Sequence, residues 1–330
     1  MKKTLTAVAL TTMFTSAAMA ATPTLTVYTY DSFAADWGPG PKVKQAFEAQ
    51  CGCQLDLVAL DDGVSILNRL RLEGKNTKAD VILGLDNNLV AEAKQTGLLT
   101  EHQVDTSKLV LPQAWNDKTF VPYDYGYFAF VYNSKKLTNP PTSLKELVEE
   151  RDDLKVIYQD PRTSTPGQGL MLWMKHVYGD DVSAAWQQLA AKTVTVTKGW
   201  SEAYSMFLKG ESDMVLSYTT SPAYHMIAEG DFDYAAATFK EGHYMQVEVA
   251  AKVKASKQPE LSEQFMQFIL SDGFQNAMPT GNWMYPVTTV ELPADFYQLD
   301  LPKTPLSFTA EEVATERKRW VREWQSALVN

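Results

Sequence analysis

From Leu25 to Tyr30 the chain reads LTVYTY, an apolar run of β-branched and aromatic residues that predicts a first buried strand. After the loop DSFAADWGPGP, Val43, Ala46 and Phe47 share one face over residues 41–50, with Pro41 at the start, which predicts a helix. A second strand is expected at 54–60 (QLDLVAL), and the turn Asp61-Asp62-Gly63 leads into a helix near 64–73. A third strand at 79–85 (ADVILGL) precedes a helix near 87–97. Strand and helix alternate, and that order builds a mainly parallel sheet covered on both faces, an α/β architecture.

Residues 119–132 (TFVPYDYGYFAFVY) break the rhythm with a long aromatic, β-prone stretch that contains Pro122 and Gly126. After three βα units, such a run suits a strand leaving one lobe and entering another. The rhythm then resumes, with a helix at 143–150, a strand at 155–159 and helices near 167–178 and 182–191. A strand at 193–197, a helix at 200–208 and a strand at 213–218 complete this block. Residues 243–253 (HYMQVEVAAKV) alternate again and suit a return crossing. Helices near 259–270 and 311–328 finish the chain. In the last, Thr309 and Glu312 have capping-box spacing, and Val313, Trp320, Trp324 and Leu328 form one stripe.

The first twenty residues stand apart from this pattern. Lys2 and Lys3 precede a short apolar run at 4–15, and Ala18-Met19-Ala20 offers a small-residue cleavage site. That order predicts a secretory signal peptide over 1–20, cut between Ala20 and Ala21. It contains no cysteine, so no lipid attachment is expected there. No later run approaches the ~18 apolar residues of a membrane span, so direct membrane insertion is not expected. About 310 residues then remain, enough for two domains.

Losing Lys2 and Lys3 leaves 28 basic residues against 40 acidic ones, an excess that argues against nucleic acid as a partner and is compatible with a cationic ligand. Both cysteines lie in Cys51-Gly52-Cys53. In an exported chain a disulfide is expected, with Gly52 supplying the freedom that so small a ring needs. A metal site would want a third ligand, and no histidine or further cysteine lies nearby.

Little in the sequence favours catalysis. His102, His176, His225 and His243 are scattered, without HExxH spacing. The chain has no GxxxxGK[ST] and no GxSxG, and no GxGxxG follows the first strand. The aromatics say more. Tyr28, Tyr30, Phe33 and Trp37 fall at and after the carboxyl end of the first strand, where open parallel sheets bind ligands. Trp200 opens a helix, Tyr218 and Tyr224 flank TTSPAYH, and Trp283 and Tyr285 sit in PTGNWMYP. With Asp31 and Asp36 nearby, these faces suit a flat cation. Asp62-Gly63 and Ser164-Thr165-Pro166-Gly167 each precede a helix, where free N–H groups and the dipole can hold an anion. Ordinary helix capping by Asp62, Ser164 or Thr165 explains the same residues, and spacing alone favours it.

The stretches LTVYTYDSFAADWGPGP, ADVILGLDNN, FVPYDYGYFAFVY, VIYQDPRTSTPG, TVTVTKGWSEAY, SYTTSPAYH and PTGNWMYP occur in this order. In this the chain resembles the periplasmic thiamine-binding proteins that serve ABC importers in enteric-type bacteria, from about residue 24 to the end. The resemblance implies a type-II periplasmic-binding fold of two α/β lobes with a ligand cleft between them. Residues 21–123 and 241–330, including the C-terminal helix, would form lobe 1, and residues 124–240 lobe 2. It implies thiamine, thiamine monophosphate and thiamine diphosphate as transported ligands, with no cofactor, and an inner-membrane permease with its ATPase subunit as partner. It places Tyr30, Trp37, Trp200, Tyr218, Tyr224 and Trp283 around the thiamine rings, and Asp62, Gly63, Ser164 and Thr165 near the phosphate end. Two readings compete with it. Thiamine-degrading enzymes resemble this fold but need an accessible cysteine thiolate. A binder of another cation is the second: a polyamine would also want aromatics and carboxylates, whereas ferric-ion capture commonly needs anionic ligands such as adjacent tyrosines, and no Tyr-Tyr pair occurs.

Overall fold

A computed structural model describes residues 21–329; the expected leader at 1–20 lies outside them. Strands β1 (Thr24–Tyr30), β2 (Gln54–Leu60) and β3 (Val81–Asp86) are parallel, with β1 between the other two. Helix α1 (Gly40–Cys51) buries Val43 and Phe47 and stops at Gly52, whose φ of 62° is the left-handed conformation that ends helices. A disulfide joins Cys51 and Cys53 at this turn. Helix α2 (Gly63–Glu73) returns the chain toward β3 and buries Val64, Ile66, Leu67 and Leu70. The helix expected over 87–97 is regular only at Val90–Lys94. Asn88 folds back on Asp86, its backbone N–H donating to Oδ1 at 3.0 Å, and this local turn delays the helix.

Two long strands then tie the halves together. β4 (Phe120–Asn133) pairs antiparallel with the later crossing strand (His243–Val253) through Phe120–Tyr127, and with residues 214–218 through Phe128–Tyr132. The second half adds β5 (Val156–Gln159), α3 (Thr165–Tyr178), α4 (Val182–Ala191), β6 (Thr193–Thr197), α5 (Trp200–Leu208) and β7 (Met214–Tyr218). The return crossing is β8 (His243–Val253), followed by α6 (Pro259–Phe268) and the C-terminal α7 (Ala310–Val329). The main strands run in the order β2-β1-β3-β8-β4-β7-β5-β6, one curled sheet shared by both lobes.

Each lobe has its own core. Val27, Phe47, Leu67, Leu83, Val249 and Phe265 belong to the first. Phe130, Tyr158, Trp173 and Trp186 belong to the second. The expected return of the C-terminal helix to lobe 1 needs correction. Val313, Trp320, Trp324 and Ala327 on α7 join the second core, and Trp324 Nε1 donates to the Tyr158 hydroxyl at 3.1 Å. The apolar stripe packs against the face that α3, α4 and Tyr158 supply. The capping box forms as spaced: Thr309 N–H donates to Glu312 at 2.9 Å, and Glu312 N–H donates back to Thr309 Oγ1 at 3.2 Å.

Candidate functional site

A cavity of about 580 Å³ lies between the lobes, beside the crossing strands. That volume falls within the roughly 300–1,000 Å³ of small-molecule sites. Tyr30, Trp37, Trp200, Tyr218, Tyr224 and Trp283, the six aromatics singled out above, all line it. Each is delivered by an element end. Tyr30 closes β1, Trp37 follows it in the loop, Trp200 opens α5 and Tyr218 ends β7. Trp37 from the first half faces Trp200 from the second, with ring centroids 6.3 Å apart. Tyr224 meets Trp283 edge-on at 5.4 Å. Trp283 has φ of 56°, the only positive φ of a non-glycine residue among the described residues. Such backbone strain concentrates at ligand clamps.

Four contacts hold these rings in place. Trp200 stacks on Tyr204 at 4.8 Å, and its Nε1 donates to Ser217 Oγ at 2.7 Å. Tyr224 donates its hydroxyl proton to Glu229 at 2.8 Å. Tyr30 rests over Gly84, where a Cβ would meet its ring at 2.3 Å, and Gly84 has φ of 119°. Gly84→Ala should therefore cost about 2 kcal/mol of stability, from strain and overpacking together, and displace Tyr30. A thermal melt and a ligand titration check both effects; a variant that melts and binds like the parent would contradict them.

Sequence reasoning missed the polar wall of the cavity. Glu248 on β8 and Asn282 line it, and Tyr30 donates its hydroxyl proton to Glu248 Oε2 at 2.9 Å. Burial and the neighbouring Asp124 drive the Glu248 carboxyl well above the ordinary carboxylate range. Asp31, one of the carboxylates expected to favour a cation, instead accepts a hydrogen bond from Ser201 Oγ at 3.0 Å across the cleft. Neither Asp31 nor Asp36 lines the cavity.

Asp62, Gly63, Ser164 and Thr165 come together as one cluster, but they do not line the cavity. Asp62 Oδ2 accepts from Ser164 Oγ at 2.9 Å and from Trp200 N–H at 3.1 Å. Its Oδ1 accepts from Gly63 N–H at 2.6 Å and from Thr165 N–H and Oγ1, both at 3.2 Å. The first turns of α2, α3 and α5 thus converge on one buried carboxylate that bridges the lobes. Burial pushes Asp62 up to about 6, against the pull of these donors. Adjacent to it, a Cβ on Gly63 would meet Gly84 O at 2.2 Å, so glycine permits the close approach.

Among the described residues, no group of three or more His, Cys, Asp or Glu side chains is placed to hold a metal ion, and no helix is long and apolar enough to cross a membrane.

Two α/β lobes, two crossing strands and an aromatic cavity between the halves define a solute-binding protein of the type-II periplasmic-binding fold. The chain belongs to the bacterial extracellular solute-binding protein family, whose pattern matches residues 29–276. It is 67% identical over 308 residues to the thiamine-binding periplasmic protein of Escherichia coli K12, covering 93% of this chain and 94% of the relative. Identity to the Salmonella typhimurium protein of the same name is also 67% over 308 residues, with the same coverage of both chains. A solved periplasmic thiamin binding protein superposes with a TM-score of 0.92 at 67% identity, covering 93% of this chain and 96% of that one.

Proposed function

We propose that this protein captures thiamine in the periplasm and delivers it to an ABC importer, a permease with its ATPase subunit. One observation carries this reading: aromatic rings from both lobes, Trp37 and Trp200 among them, line one cavity together with the carboxyl of Glu248. Thiamine carries a permanent thiazolium charge and two flat rings. Each well-placed aromatic face contributes about 0.5–2 kcal/mol to holding such a cation, more once water is excluded. A ligand that touches both lobes favours the closed arrangement by the contacts that only closure provides. Export through the leader at 1–20 places the protein where this capture is useful.

Thiamine monophosphate and diphosphate fit the same scheme. Their phosphate groups would reach the helix starts around Asp62, displacing its carboxylate from the N–H groups of Thr165 and Trp200. The bond between Cys51 and Cys53 takes up both cysteines of the chain, at the end of α1 and outside the cavity lining. That arrangement disfavours a cysteine-dependent thiamine-degrading reaction.

Thiamine should quench tryptophan fluorescence in a saturable titration, and spermidine should fail to compete. Trp283→Ala should weaken binding by about 1–3 kcal/mol, the scale of an anchoring aromatic. Undiminished affinity in that variant would remove Trp283 from the site, and an absent thiamine response would remove the ligand.

A further inference from the structure

Glu248 and Asp124 stand opposite each other on the crossing strands β8 and β4, in register, where a bulge interrupts the pairing. Glu248 is 5% exposed and Asp124 fully buried, and each carboxyl is a hydrogen-bond partner of the other. Asn282 Nδ2 donates to Glu248 Oε2 at 3.0 Å and to Asp124 Oδ2 at 2.5 Å. Asp124 Oδ1 is buried and has no partner among the fixed donors around it. A proton held between the two carboxyls lets them share this space, where two bare carboxylates would repel.

The surrounding groups give no relief. Asp86 on β3 is the register partner of Glu248 on its other side, and Asp62 adds a further negative charge. The phenols facing the pair are those of Tyr30, Tyr123 and Tyr218. Arg317 offsets only the far end of the row, at Asp86 and Glu92. Glu248 alone of these carboxyls opens on the cavity.

We propose that Glu248 is the counter-ion for the bound cation, and that capture of the cation expels the proton Glu248 shares with Asp124. This rests on the thiamine reading and deepens it. A fixed positive charge beside Glu248 stabilises its ionised form, so the shared proton leaves to solvent as the ligand enters. The exchange keeps the charge of the dry site nearly constant, and it selects for cations over neutral rings of the same shape.

Titration calorimetry of the mature protein with unphosphorylated thiamine tests this, since a phosphate would itself titrate near neutrality. Runs in HEPES and Tris, which differ in ionisation enthalpy, count the protons. We expect release of up to about one proton per thiamine, and affinity rising by up to about tenfold per pH unit between about pH 6 and 8. Glu248→Gln should weaken binding at least several-fold at the upper pH and flatten the pH profile. Asp124→Asn should tighten binding at the lower pH, because Glu248 then ionises without a like-charged neighbour. A purely structural pair predicts that both variants weaken. Thiamine that binds without proton release, or an Asp124→Asn variant that weakens as Glu248→Gln does, overturns the inference and leaves the ligand standing. Thiamine that does not bind at all removes the ligand reading and this inference with it. The proton count on the parent protein decides the matter even where a variant fails to fold.

Discussion

Replacing Trp200 by alanine should weaken thiamine binding by about 2–4 kcal/mol, roughly 30- to 1,000-fold. The indole faces Trp37 across the cleft at 6.3 Å and stacks on Tyr204 at 4.8 Å, with planes only 21° apart. Its Nε1 bond to Ser217 fixes the ring orientation, so the face is presented without loss of rotamer freedom on binding. The alanine variant keeps the backbone N–H that reaches Asp62, so the loss isolates the ring from the helix start. Trp200→Phe should lose less, since it keeps an aromatic face and forfeits the Ser217 bond. Calorimetry on the three proteins ranks them, and circular dichroism verifies their folds. An alanine variant within threefold of the parent would mean that the ligand does not lie against this indole.

Trp200 was legible in the sequence because a large aromatic directly after a glycine, at the start of an amphipathic helix, has little reason to be core. The same logic marked Tyr28, Tyr30, Phe33, Trp37, Tyr218, Tyr224, Trp283 and Tyr285, and the family resemblance narrowed them to those that line the cavity; Tyr28, Phe33 and Tyr285 are buried outside its lining. Elements were legible wherever periodicity was strong, as in β1, β2, α4, β6 and α5. Glu248 was not, because in HYMQVEVAAKV it occupies the polar phase of an alternating strand and reads as solvent-facing. Both faces of β8 are buried, and Glu248 is the β8 residue that reaches the cavity. Alternation reports polarity, and it does not say whether the polar side meets bulk water or an enclosed ligand site. The stripe on α7 was equally clear in sequence, yet periodicity carries no information about which of two cores receives it. Asp62, Gly63, Ser164 and Thr165 do lie at helix starts, and only the tertiary structure reveals that Asp62 itself accepts the N–H groups there.

The same buried carboxyls make stability depend on pH, and we expect the melting temperature to rise as pH falls from about 8 to 6. Burial pushes Asp86 and Asp124 up to about 7, and Glu248 well above its ordinary value. In the unfolded chain these groups are fully ionised throughout this window. The native state therefore takes up protons on acidification that the unfolded state does not, and stability must increase. Each native proton bound over one pH unit contributes about 1.4 kcal/mol; allowing half for water entering the open cleft, the gain is about 3 kcal/mol, or roughly 5 °C. His225 and His243, whose pKa values burial lowers, act in the opposite sense from about pH 7.5 downward, as unfolded histidines charge with a midpoint near 6.5, and they temper the rise toward its acid end. The rise should thus be steepest between about pH 8 and 6.5. Glu248→Gln removes a carboxyl that the folded protein must hold protonated at a cost that grows with pH, so it should melt higher than the parent at pH 8 and show a shallower slope. Saturating thiamine should also flatten the parent's slope, because the bound cation keeps Glu248 ionised. A melting temperature that is constant or falls over this interval would show that these carboxyls are already charged, with the charge solvated, in the folded protein.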